Sequence, residues 1–142
     1  MAFVVDNSVV CGWFIGNQAT DYTEAVASRL LDEQAHAPAL WQLEFSNVLR
    51  SACKRGALDA QGAHEVIEQI AALPIMVDRD TPGPAAILTL ALRYDLTSYD
   101  AAYLELALQL ALRLQLPIAT QDTALMEAAR AAGVGLFKAA GQ

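Results

Sequence analysis

Short apolar runs of three or four residues alternate along this chain with longer stretches of helical period, and that alternation constrains the fold more than any other feature. Residues 2–5 form such a run and end in Asp6-Asn7-Ser8, as a buried strand entering a turn would. A helix is predicted over residues 22–34 behind an Asp21 cap, with residues 36–38 as the second strand. Residues 40–54 read as a helix stopped at Gly56. Asp59 caps a further helix reaching Ala72, Leu73-Pro74 turns into a strand at 75–77, and Thr81-Pro82 opens a helix that ends at Tyr94. The longest helix begins after Ser98. Residues 117–120 are then a strand, 123–132 a helix closed by Gly133, and 135–138 a last short strand. Strands alternating with helices predict an α/β fold, a three-layer α/β/α sandwich around a parallel sheet. No repeat, low-complexity segment or linker interrupts the pattern, so residues 1–142 are expected to be a single domain.

Composition narrows the classes. The apolar fraction is 55% and the charged fraction 18%, below the ~25% typical of globular chains. That surplus suggests a surface covered by another chain. Residues 101–116 are apolar enough to raise a membrane question, but Glu105, Gln109 and Arg113 recur at four-residue spacing and form a polar stripe. The uninterrupted run of ~20 apolar residues that a membrane span needs is missing, so this is expected to be a buried helix. Cys11 and Cys53 are too few for a disulfide framework and no signal peptide precedes them, which fits free thiols in a cytoplasmic protein. The net charge of −7 argues against binding nucleic acid by bulk attraction. Either the partner is no polyanion, or cations occupy many of the carboxylates.

Four acids fall where parallel sheets place their sites, at the carboxyl ends of strands near a topological switch point. Asp6 follows the first strand and Asp122 follows Ile118-Ala119-Thr120. Taken singly, they are equally a turn residue and a helix N-cap. Glu44 shares a helical face with Trp41, Phe45, Val48 and Ala52, where a carboxylate is costly unless paired or bound to metal. Asn47 lies one turn further on. Asp100 stands three residues after Thr97, a capping spacing that also points a carboxylate out of a helix N-terminus. Four carboxylates gathered together would not all stay ionised without a counter-ion. Oxygen-only ligands suit hard cations such as Mg²⁺ or Mn²⁺. His36 and His64 have no ligand spacing to each other or to either cysteine, which disfavours zinc, and no phosphate-binding glycine loop occurs.

With these residues in view, the chain resembles the PIN domain, and within it the VapC-type toxins of bacterial toxin–antitoxin pairs. The resemblance is carried by Phe3-Val4-Val5-Asp6-Asn7-Ser8 and by Leu43-Glu44-Phe45-Ser46-Asn47-Val48-Leu49. It continues through Ser98-Tyr99-Asp100-Ala101-Ala102-Tyr103-Leu104-Glu105-Leu106-Ala107 and Pro117-Ile118-Ala119-Thr120-Gln121-Asp122. It implies a PIN-like sandwich and a Mg²⁺-dependent endoribonuclease, with Mn²⁺ able to substitute. Asp6, Glu44, Asp100 and Asp122 then take the catalytic and metal-binding places, and Ser8, Asn47 and Thr120 the polar places that orient them. It further implies an RNA substrate, transfer RNA first, a cognate antitoxin and a homodimer. Arg50, Lys54 and Arg55 are basic groups available to an RNA backbone, and Trp13, Phe14 and Trp41 are expected near the antitoxin groove. One departure is a helix between Asp100 and Asp122 about one turn longer than in such toxins, which bears on where Asp122 falls.

Two other readings compete. A phosphatase-like α/β domain would need a second Asp two places after Asp6, where this chain has Ser8. A catalytically inactive PIN-like binding module would have no need for all four acids.

Overall fold

The computed structural model describes residues 2–15, 18–80, 82–114 and 116–138. Its strands are β1 (Ala2–Val5), β2 (Gln34–Pro38), β3 (Ile75–Asp78) and β4 (Ile118–Ala119), joined in one sheet of order β3-β2-β1-β4. Every adjacent pair is parallel, with Val4 opposite His36 on one side and Ile118 on the other. Phe3, Val4 and Val5 are completely buried, as a central parallel strand covered on both faces must be.

Among the described residues seven helices connect and cover the strands: α1 (Asn7–Phe14), α2 (Asp21–Arg29), α3 (Leu40–Lys54), α4 (Ala60–Ala71), α5 (Pro84–Tyr94), α6 (Ser98–Leu114) and α7 (Thr123–Ala132). The crossovers run from β1 to β2 to β3 in one direction and from β3 back past β1 to β4 in the other. Right-handed crossovers therefore put α1 to α4 on one face and α5 to α7 on the other. The packing agrees: α1 lies against α2 and α3, and α6 against α5, α7, β1 and β2. The three-layer, PIN-like α/β/α sandwich expected from the sequence is the fold found. Its core centres on Phe3, Tyr103, Leu104, Ile118 and Leu125.

Several local expectations need correcting. Asp6 does not end in a mere turn but caps α1, its side chain accepting from Val9 N–H. That helix is so apolar (Asn7 to Phe14) that no polar stripe marks its period. Gly12 within it lets α2 approach closely, since a Cβ there would lie 2.4 Å from Thr23 Cγ2. α2 is capped by Thr20, not Asp21, in a reciprocal capping box with Thr23, and stops at Arg29. α5 opens at Pro84 behind Gly83; the expected Thr81 cap lies outside the described residues. The last predicted strand shrinks to a single parallel bridge between Leu136 and Ile118. In α6 the amide of Gln109 donates to Glu105, two members of the predicted polar stripe; the side chain of Arg113 lies outside the described residues. No described helix is long and apolar enough to cross a membrane.

Candidate active site

β1 is the point where the strand order reverses, with β2 on one flank and β4 on the other. A crevice therefore opens at the carboxyl end of the β1–β4 pair. Asp6 stands there, 3% exposed, because it follows β1 directly and its N–H is tied to Ala119 O of the neighbouring strand at 3.1 Å. Its carboxylate is fixed from three directions. Ser8 Oγ donates to Oδ1 at 2.6 Å, Val9 N–H donates to the same oxygen, and Thr120 Oγ1 donates to Oδ2. Ser8 and Thr120 are themselves held by the loop after β4: Gln121 N–H donates to Ser8 Oγ at 3.0 Å and Asp122 N–H to Thr120 Oγ1 at 2.9 Å. Burial nevertheless raises the Asp6 carboxyl from the ordinary 3.8 to about 6 against those hydrogen bonds, and Asp122 adds to the rise.

Asp122 caps α7, accepting from Leu125 N–H at 3.0 Å. Its structural reading as a cap is thus correct, yet the same side chain also reaches Asp100. Thr97 Oγ1 accepts from Asp100 N–H at 3.1 Å, so the first turn of α6 presents the Asp100 carboxyl to the crevice. Burial first, then repulsion from Asp122 and Asp6, a hydrogen bond shared with Asp122 and the charge of Glu44 push Asp100 up to about 7.

Glu44 is half-buried on α3; its buried neighbours on that helix are Trp41, Phe45, Leu49 and Ala52. Its Oε1 accepts from Tyr103 Oη at 2.6 Å. Burial raises its carboxyl and the Tyr103 hydroxyl opposes that rise. Tyr103 is 1% exposed, and its hydroxyl is pushed far above the ordinary 10 by burial and then by Glu44. In sequence, a tyrosine amid Ala and Leu reads as core, and nothing local marks its bond to Glu44. Asn47 is exposed and lines, together with Glu44, Asn7, Arg50 and Tyr99, an adjoining cavity of about 620 Å³. Asn7 Oδ1 is buried there with no hydrogen-bond partner among the described residues.

All four acids therefore lie toward one edge: Asp6 feels Asp122, and Asp100 feels Asp122, Asp6 and Glu44. Among the described residues, however, no three His, Cys, Asp or Glu side chains stand close enough to hold a cation as they are. Asp100, raised to about 7 by burial and by the charges of Asp122 and Asp6, is the member of the group that most readily keeps its proton. An oxygen-only donor set with the orphaned amide oxygen of Asn7 alongside fits a hard divalent cation. Elsewhere, Cys11 is free and its thiol is pushed up to about 12 by burial and by Asp6 and Glu44; Cys53 is also free. His36 is half-buried in β2 and His64 exposed on α4.

No protein-family model and no curated protein sequence matches this chain. Among solved structures it is similar to PAE2754 from Pyrobaculum aerophilum, with a TM-score of 0.64 and 22% identity over 90% of this chain and 87% of that one. It is also similar to FitAcB from Neisseria gonorrhoeae, with a TM-score of 0.60 and 18% identity over 97% of each chain. At such identities the likeness is one of fold.

Proposed function

We propose that this chain is a Mg²⁺-dependent endoribonuclease, with Mn²⁺ able to substitute, and the toxin of a VapBC-type toxin–antitoxin pair acting in the cytoplasm. The observation that carries the reading is the convergence of Asp6, Glu44, Asp100 and Asp122, from four distant segments, on the switch-point crevice. Two of them, Asp6 and Asp100, are raised to about 6 and about 7 by burial first and then by neighbouring carboxylates. Purely structural acids would be selected against such an arrangement, since an uncompensated cluster destabilises the fold. Bound there, Mg²⁺ supplies charge neutralisation and makes water acidic enough to act as a nucleophile at neutral pH.

The chain's own residues do the rest. Ser8 and Thr120 keep the Asp6 carboxylate from rotating, and Tyr103 does the same for Glu44. Asp100 and Asp122 would help to hold the cation, and Asp100, raised to about 7, would give up its proton to do so. The test is cleavage of purified transfer RNA, the favoured substrate, with Mg²⁺, with excess chelator, and by Asp100→Asn. Loss in both of the latter arms is expected; undiminished cleavage in chelator overturns the metal chemistry.

The surplus of apolar residues bears on the partners. Trp41 is only 6% exposed and the Trp13 indole N–H is tied to Thr23 O at 2.7 Å. Among the described residues the exposed large apolar side chains are Leu31, Leu43, Ile67, Met76, Leu88, Leu92 and Tyr99, while Trp13 and Phe14 are half-buried. We assign these surfaces to a homodimer and to an antitoxin that sets a basic side chain against the carboxylates. Co-expression with a candidate antitoxin should yield a stable complex and relieve toxicity; a monomeric chain whose toxicity the candidate leaves untouched would count against both.

A further inference from the structure

On the β4 side of the carboxylates lies a second cavity, of about 430 Å³, within the ~300–1,000 Å³ typical of small-ligand sites. Thr120, which bonds Asp6, forms part of its wall; Arg130 and Lys138 also line it, with Tyr22, Met126 and Leu136. None of its lining residues is acidic, although the chain carries 16 acids against 9 Lys and Arg. Arg130 and Lys138 are exposed. The floor is rigid: Phe137 packs on Phe3 with ring centroids 4.9 Å apart, carries Arg29 over its ring, and its carbonyl accepts from Tyr22 Oη at 2.8 Å. Met126 and Leu136 are half-buried and offer apolar contact.

Cations on the rim with apolar walls, one residue from the site, match a nucleotide of single-stranded RNA. Such strands are held by positive side chains along the backbone and apolar contact to the bases. We infer that the cavity bounded by Thr120, Arg130 and Lys138 is a nucleotide subsite, seating a residue of the RNA next to the scissile phosphate, with the two cations on its phosphates. The inference rests on the nuclease reading. It also relocates the backbone contacts expected of Lys54 and Arg55, which sit at the far end of α3, about 15 Å along the helix from Glu44. A Met- and Leu-walled cavity suits an apolar peptide side chain as well, but a peptide inhibitor has no need of two exposed cations beside four acids.

The test compares two double variants of the full chain with the same change in net charge, each reversal contributing two units. These are Arg130→Glu with Lys138→Glu, and Lys54→Glu with Arg55→Glu. Binding of a short fluorescein-labelled single-stranded RNA of mixed sequence is read by anisotropy in chelator, so that no cleavage occurs, with thermal melting to show that each variant folds. The cavity pair is expected to bind about tenfold or more weakly, with the salt slope reduced by ~1.4 for two lost phosphate contacts, while the α3 pair binds nearly as wild type. In Mg²⁺ the cavity pair should raise KM and keep most of kcat. The neutral pair Arg130→Gln with Lys138→Gln should show a smaller loss in the same direction. Equal weakening by both charge-reversed pairs, or wild-type binding by the cavity pair, overturns the subsite; so does an unchanged RNA affinity with loss of a protein partner. If the wild type cleaves with Mg²⁺ while the cavity pair is silent, the subsite fails and the nuclease stands. If the cavity pair loses RNA but the wild type never cleaves, the nuclease fails and the subsite stands.

Discussion

Replacing Asp6 by Asn should make the metal-free protein more stable while abolishing cleavage. Burial raises this carboxyl from 3.8 to about 6; at ~1.4 kcal/mol for each tenfold change in proton affinity, that is about 3 kcal/mol. A raised acid stabilises the fold fully only below its unfolded pKa, and the contribution is lost as pH rises through about 6. Above that, the fold carries the cost of an ionised, buried Asp6. Asn is as good an N-cap as Asp, so α1 keeps its cap, and the hydroxyls of Ser8 and Thr120 rotate to meet an amide at a cost of about 1 kcal/mol. The net gain at about pH 8 is then ~1–2 kcal/mol, a rise in Tm of roughly 3–6 °C for a chain of this size. At about pH 4 the gain vanishes and the hydrogen-bond cost leaves the variant slightly the less stable. Thermal melting in chelator at both pH values, wild type beside variant, measures this. Added Mg²⁺ should then raise the wild type more than the variant, because a ligand stabilises only the state that binds it. A variant that melts below wild type at about pH 8, or a difference independent of pH, refutes the reasoning.

Cation affinity should strengthen steeply between about pH 6 and 8, because Asp100, raised to about 7 by burial and by Asp122 and Asp6, must release its proton first; calorimetric titration with Mg²⁺ across that range would show a flat profile if the proton is irrelevant. Tyr103→Phe removes the 2.6 Å hydrogen bond to Glu44 and should lower Tm by ~2–4 °C, from about 1 kcal/mol, and weaken cation affinity about tenfold; unaltered affinity in a folded variant would deny Tyr103 its orienting role. RNA products should carry 5′-phosphate and 3′-hydroxyl ends, since His36 in β2 and His64 on α4 are no acid–base pair; cyclic 2′,3′-phosphates detected by end-labelling would reject hydrolysis by water.

The elements that were legible in the sequence are those with a period and punctuation. α3, α4 and α7 carry apolar residues at helical spacing between Gly or Asp signals, and their limits fall close to those expected. α1 was missed because a helix buried on most sides has no polar face to betray it; the Asp6-Asn7-Ser8 cap was the available signal, and it looks the same in a turn. The terminal strand was overcalled because the apolar residues Val134, Leu136 and Phe137 pack into the core without a ladder, contributing one bridge. At the site, the acids could be found from strand ends, because the topology of a parallel sheet decides what lies at its edge. What orients them is a matter of side-chain reach across distant segments. Tyr103 and Gln121 act on partners 59 and 113 residues away, and nothing in their local sequence distinguishes them from core and loop. The cavity cations Arg130 and Lys138 were likewise hidden, one at the solvent face of α7 and the other beyond its end.

The position of β1 in the sheet also sets a timetable. It is the first strand synthesised, yet the strand that completes its pairing, with Val5 opposite Ala119, comes more than one hundred residues later. At roughly 5–20 residues per second, Asp6 and Glu44 wait on the order of ten seconds for Thr120 and Asp122 to be made. β4 is only two residues long, so its place beside β1 depends on α7 and the bridge at Leu136 holding it from outside. The last segment to dock is thus the one that locks Asp6 and supplies the fourth carboxylate. A chain waiting for that segment already has Asp6, Glu44 and Asp100 but not their final alignment, so order of synthesis alone keeps the centre unassembled until the sheet closes.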